Sequence, residues 1–190
     1  MKFKFACLLT VFCLGILVPA TDSAAQRSKR AEIQPSESEI SFKGDTKFLR
    51  RFYRVEDDEK YIEQLKVEYG TIIYERLPRG KTYRVLDEPE ALARSFSRAK
   101  GMVVMEMRAS PGHVIKTRGP YGEYYYLVRG NKFGVCGNAK MYFKPGEFST
   151  SSTIKTHSVF VGACWENRIG TQGEMRNYLI DLMNNIRFKS

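Results

Sequence analysis

The residues EYYYLVRGNKFGVCG, Glu123 to Gly137, are two runs of strand-forming side chains placed around a glycine and an asparagine. Aromatic and β-branched residues fill both runs, and Gly130-Asn131 is a suitable two-residue connection. The stretch therefore reads as a β-hairpin of Glu123–Arg129 and Lys132–Gly137. With that turn, Arg129 falls opposite Lys132 and Val128 opposite Phe133. Strand side chains alternate, so Tyr124, Tyr126, Val128, Phe133 and Val135 share one face, and Tyr125, Leu127 and Cys136 the other.

Downstream, Lys144 to Lys155 reads as a loop, and Ser158 to Trp165 as an apolar strand with Phe160, Gly162 and Cys164 on one side and Val159, Val161 and Ala163 on the other. Thr171 and Glu174 have capping-box spacing. Met175, Tyr178, Leu179, Leu182, Met183 and Ile186 then form the stripe of an amphipathic helix that closes over the sheet.

Upstream, Met102–Arg108 and His113–Thr117 read as strands around a turn at Pro111-Gly112, with a further turn at Arg118–Gly122. Asp87 reads as the N-cap of a helix that carries Leu92, Phe96 and Ala99 and stops at Gly101. Tyr61 to Leu77 reads as helix, then strand, and Pro78-Arg79-Gly80 turns into a strand over Lys81–Leu86. Lys47 to Val55 has the spacing of a basic amphipathic helix, with Phe48, Leu49, Phe52 and Tyr53 on one face and Arg50, Arg51 and Arg54 on another. The fold class is α+β: a single domain over 46–190 with a mainly antiparallel β-sheet, a covering C-terminal helix and one disulfide. Residues 26–45, polar and serine-rich, read as a flexible segment.

Lys2 and Lys4 precede the apolar run Phe5–Val18, which has the length of a signal-peptide core and is short for a membrane span. Ser23-Ala24-Ala25 suits a signal peptidase, so residues 1–25 read as a removed leader and the mature chain as starting at Gln26. The expected destination is the periplasm or the exterior, with no transmembrane segment left after cleavage. Arg27 to Arg30 is a basic stretch that a processing protease could also read. Of the four cysteines, Cys7 and Cys13 leave with the leader. Cys136 and Cys164 remain, and in an oxidising compartment they pair.

The segment VGACW, Val161 to Trp165, resembles the Cys-Gly-(Ser/Ala)-Cys-(Trp/Tyr) signature of papain-like cysteine proteases in four residues. It has valine in place of the first cysteine, and no histidine follows Cys164 to act as its base. Cys164 is therefore read as half of a structural bridge, and no catalytic residue is assigned. His113 and His157 lack a recognisable third ligand, so neither metal nor cofactor is expected.

The formal charge of the chain is +10. In an exported protein this excess points to an anionic envelope component or an acidic protein, and away from intracellular nucleic acid. Arg50, Arg51, Arg54, Tyr125, Arg129 and Lys132 are the candidate contacts, because guanidinium groups beside aromatic rings suit anionic and protein partners. The expected function is a non-catalytic binding or envelope-associated module. The alternatives are a small exported hydrolase with a dispersed site and an accessory subunit of an envelope assembly. Intact-mass measurement of the exported protein is expected to show a chain starting at or near Gln26 that gains two hydrogens on reduction; a full-length chain with all four cysteines as free thiols would refute both readings.

Overall fold

Apolar side chains recur at a period of two along much of the chain, and pairing these runs side by side produces one large antiparallel sheet. The computed structural model describes residues 30–43, 49–55, 57, 59–83, 88–145, 154–166 and 170–189, without the side chains of Leu49 and Arg50. The expected leader and cleavage site, most of the Arg27–Arg30 stretch, Asp87 and most of the 144–155 loop lie outside these residues.

In chain order the elements are β1 (Arg30–Ile33), β2 (Ile40–Phe42), β3 (Leu49–Val55), β4 (Tyr61–Val67), β5 (Gly70–Arg76), α1 (Pro89–Ser97), α2 (Lys100–Val104), β6 (Ile115–Gly119), β7 (Gly122–Asn131), β8 (Gly134–Phe143), β9 (His157–Glu166), α3 (Gln172–Asn185) and β10 (Ile186–Phe188). Eight strands form one sheet in the order β1-β3-β4-β5-β9-β8-β7-β6, and β2 pairs with β10 in a separate ribbon. All the pairings are antiparallel.

One face of the sheet carries Leu65, Ile72, Tyr124, Ala139, Met141, Val159 and Val161, buried against Met175, Leu179, Leu182 and Met183 of α3 and against Ile40 and Ile186 of the small ribbon. Gly137 lets α3 approach β8, since a Cβ there would stand 2.6 Å from Leu179 Cδ1. Thr171 accepts from the Glu174 amide at 3.1 Å, and the Glu174 carboxylate accepts from the Thr171 amide at 2.8 Å, so the capping box forms. The opposite face carries Leu127, Cys136 and Phe160, covered by Leu92, Phe96, Met102 and Met105 of α1, α2 and the turn that follows.

Cys136 and Cys164 are directly opposed in the β8–β9 register. Their Cα atoms are 4.1 Å apart and a disulfide joins them across a sequence separation of 28. A loop of that size contributes about 3.6 kcal/mol in the loop-entropy account. Helix α2 lies on this bridge: a Cβ on Gly101 would stand 2.1 Å from Cys164 Sγ, and Met105 Sδ lies 3.1 Å from Cys136 Sγ.

Several local readings change. Lys47–Val55 is not a helix where it is described; Leu49–Val55 is a strand paired between β1 and β4, with Phe52 buried. Tyr61–Val67 is likewise a strand, joined to β5 through a turn at Glu68-Tyr69. In both, a helical spacing of apolar residues coexists with a period-two pattern, and hydrogen bonding to neighbouring strands selects the latter. Met102–Arg108 begins inside α2, and Gly101 lies within that helix instead of ending α1, because only glycine fits against the disulfide. His113 belongs to a single 3-10 turn before β6. Over Lys81–Leu86, the described part contributes one bridge, Tyr83 to Lys155.

The β7–β8 hairpin turns two residues later than the Gly130-Asn131 reading. Asn131 pairs with Gly134, so Lys132-Phe133 forms the tip and Arg129 faces Cys136. Asn131 decides this: its Oδ1 accepts from the Phe133 amide at 2.8 Å, and Gly134 takes φ 149°. An offset of two residues preserves the faces of Tyr124, Tyr126, Val128 and Val135. Residues 30–43 also depart from a flexible segment: β1 and β2 are ordered strands, and Ile40 is fully buried.

Replacing Gly101 by alanine is expected to lower unfolding stability by about 1–3 kcal/mol through overpacking against the bridge. Denaturant titration of oxidised Gly101→Ala checks this, and an unchanged midpoint would show that α2 is not seated on the disulfide.

Candidate functional site

Strand alternation places Glu63 in phase with Leu65 and Val67, so its carboxyl group is carried into the buried side of the sheet. It has 0% exposure. A buried carboxyl group requires donors, and the N-terminal segment supplies them. Ser38 Oγ donates to Glu63 Oε2 at 2.5 Å, the Glu39 amide donates to both carboxyl oxygens at 3.0 and 3.1 Å, and the Tyr61 hydroxyl also donates to Glu63. Burial, then the bond to Glu63, pushes the Tyr61 pKa up to about 12.

Glu39 continues the network. Arg76 donates to it through Nε at 3.1 Å and Nη2 at 2.8 Å, and the Tyr74 hydroxyl donates at 2.8 Å. The Arg76 guanidinium is held further toward its charged form by that hydrogen bond. Burial, followed by the Glu39 bond, moves Tyr74 well above the usual phenol range. His157 stacks on Tyr74 with ring centres 5.8 Å apart and packs on Phe143 at 5.3 Å. Burial, reinforced by the Arg76 charge, lowers its pKa to about 4, so the ring is neutral at pH 7.

Beside this network, a pocket of about 360 Å³ opens at the ends of β3, β4 and β5, lined by Arg54, Asp57, Lys60, Tyr61 and Arg76 among others. Arg54 and Arg76 both lie over the Tyr61 ring, with Cζ 5.3 and 4.8 Å from its centre. Lys60 Nζ is paired with Glu75 at 2.6 Å. Asp57 accepts from the Glu59 and Lys60 amides at 2.9 and 3.1 Å. Arg54 is different: it donates to the Tyr61 hydroxyl at 3.1 Å and to the Glu37 carbonyl at 3.2 Å, both neutral acceptors. Among the described residues, no carboxylate forms an ion pair with it. Among the described residues, the pocket therefore holds a partly buried guanidinium hydrogen-bonded to neutral acceptors, next to an aromatic face.

The residues expected to make contacts do not converge. Arg51 and Arg54 sit on opposite faces of β3 because a strand alternates, and Arg50 falls at the register irregularity between Leu49 and Arg51. Tyr125 and Arg129 lie on β7, with β4, β5, β9 and β8 separating that strand from β3. Lys116 Nζ is 5.9 Å from the Tyr125 ring centre, and Arg129 Nη1 donates to His113 Nε2 at 3.0 Å. Lys132 is exposed at the hairpin tip. Arg54 alone of these residues lines the pocket. Sequence reasoning missed Glu39, Lys60, Tyr61, Glu63 and Arg76; the available signal was a glutamate in the apolar phase of a strand, which a helical reading of Tyr61–Val67 concealed.

Compared with family models, curated proteins and solved structures, the chain matches none of them. Among the described residues, no group of three or more His, Cys, Asp or Glu is placed to hold a metal ion, and no helix is long and apolar enough to cross a membrane.

The His157 pKa lies below its ordinary value of 6.5. Between about pH 6.5 and 4 the unfolded chain therefore binds more protons than the folded one, and stability falls as pH is lowered through that window. Discounted for the partly exposed ring, the expected loss is on the order of 1–2 kcal/mol. Unfolding of wild type and His157→Phe as a function of pH tests this: the variant is expected to show a shallower acid slope, and equal slopes would remove His157 as the cause.

Proposed function

We propose that this is an exported, non-catalytic binding protein of the periplasm or the exterior, whose basic surface holds an anionic partner at the Arg54 pocket. The observation that carries the reading is the Arg54 guanidinium, partly buried over Tyr61 without a carboxylate partner among the described residues. A guanidinium in that setting is an anion-binding group, presenting a planar fork of donors in reduced dielectric. The disulfide supports an oxidising compartment, and the charge of +10 supports electrostatic attraction of an anionic envelope component or acidic protein.

The surrounding titratable groups support binding more than catalysis. Glu39 and Glu63 are committed to hydrogen bonds that fasten the N-terminal segment to the sheet. Titration with a fluorescent heparin oligosaccharide, used as a polyanion probe, is expected to give salt-dependent binding. Arg54→Gln is expected to weaken it by about tenfold, close to 1.4 kcal/mol, with little change in unfolding midpoint. Equal affinity in the variant would eliminate the pocket as the binding site.

A further inference from the structure

Helix α2 is pinned on its inner side and apolar on its outer side. Gly101, Met102 and Met105 face inward: Gly101 lies against Cys164, Met102 is fully buried, and Met105 reaches Cys136. This leaves Val103 and Val104 turned outward, with 59% and 62% exposure. Two β-branched residues at exposed helix positions contribute little to the core and lower helix propensity.

Asn131 joins this helix end to the β7–β8 tip. Its Nδ2 donates to the Met105 carbonyl at 2.7 Å while its Oδ1 accepts from the Phe133 amide. Phe133 is 43% exposed. One side chain thus ties the end of the helix that carries Val103 and Val104 to the hairpin tip that carries Phe133, on a base formed by the disulfide and the hairpin. The same two segments, 98–108 and 132–133, carry the exposed cations Arg98, Lys100, Arg108 and Lys132 against the single exposed acid Glu106. Lys132 Nζ lies 5.0 Å from the Phe133 ring centre.

We infer that this tip is a docking surface for an anionic lipid bilayer: Val103, Val104 and Phe133 enter the headgroup boundary while the surrounding lysines and arginines meet the lipid charge. Charge complementarity selects this occupant. A small apolar knob alone binds a bilayer weakly, and each nearby cation adds attraction to anionic headgroups. The site is separate from the Arg54 pocket and uses different residues, so the two readings stand or fall independently.

The test is co-sedimentation of the full chain with phosphatidylcholine vesicles that contain, or lack, about 30 mol % phosphatidylglycerol. Wild type is expected to partition onto the anionic vesicles at least about tenfold better than onto neutral ones, and less at high salt. A Val103→Ser, Val104→Ser, Phe133→Ser variant is expected to lose about tenfold or more of that partitioning, with an unchanged unfolding midpoint because all three side chains are exposed. Arg54→Gln is expected to partition as wild type does. In Phe133→Trp, tryptophan emission is expected to shift to the blue on anionic vesicles, over the constant background of buried Trp165. Equal partitioning by wild type and the triple variant, no preference for anionic vesicles, or vesicle binding without an emission shift would each overturn the inference. Lost heparin binding in Arg54→Gln with intact vesicle binding leaves it standing.

Discussion

The pairing of β8 with β9 holds the two layers of core together. Cys136 and Cys164 face each other across it, so their bond and the ladder hydrogen bonds impose one register. In that register Val159, Val161, Ala163 and Trp165 are turned toward α3, while Phe160 and Cys164 are turned toward α1 and α2. A slip of one residue would exchange the two sets and expose both cores at once. The bridge also shapes what lies over it, since α2 approaches closely enough that one of its positions has no room for a Cβ.

A second constraint acts at the other side of the sheet. Burying Glu63 among apolar neighbours is unfavourable unless its oxygens are satisfied, and the donors come from Ser38, Glu39 and Tyr61. The N-terminal segment is therefore ordered by a polar requirement of the core as much as by its own Ile40. Glu39, held by Arg76 and Tyr74, completes the attachment. Once Arg76 is paired in this way, Arg54 is left as the cation of the pocket bound only to neutral acceptors among the described residues. The proposed binding role thus rests on how a structural network distributes its carboxylates among the described residues.

Legibility followed the range of the interactions. The C-terminal helix was readable because its capping box and apolar stripe are contained within the helix itself. The faces of β7 and β9 were readable from alternation alone, and they survived a misplaced turn because the offset was two residues. Leu49–Val55 and Tyr61–Val67 were not, since their apolar spacing fits both a helix and a strand and the choice depends on strands elsewhere in the chain. The expected contact set dispersed for the same reason: Arg51 and Arg54 share a helix face only if there is a helix.

By itself the sequence determined the α+β class, the antiparallel character of the second half, the cysteine pairing and the covering C-terminal helix. Each of these rests on local periodicity, on capping chemistry or, for the cysteines, on the expectation that Cys7 and Cys13 leave with a leader. Only the tertiary structure decided that Leu49–Val55 and Tyr61–Val67 are strands of the sheet, that α2 rests on the disulfide, that Glu63 organises the N-terminal segment, and that Arg54 and the Val103, Val104 and Phe133 side chains lie in separate parts of the fold. Those features depend on contacts between residues far apart in the chain, whose energies exceed local propensity and leave no local pattern to read.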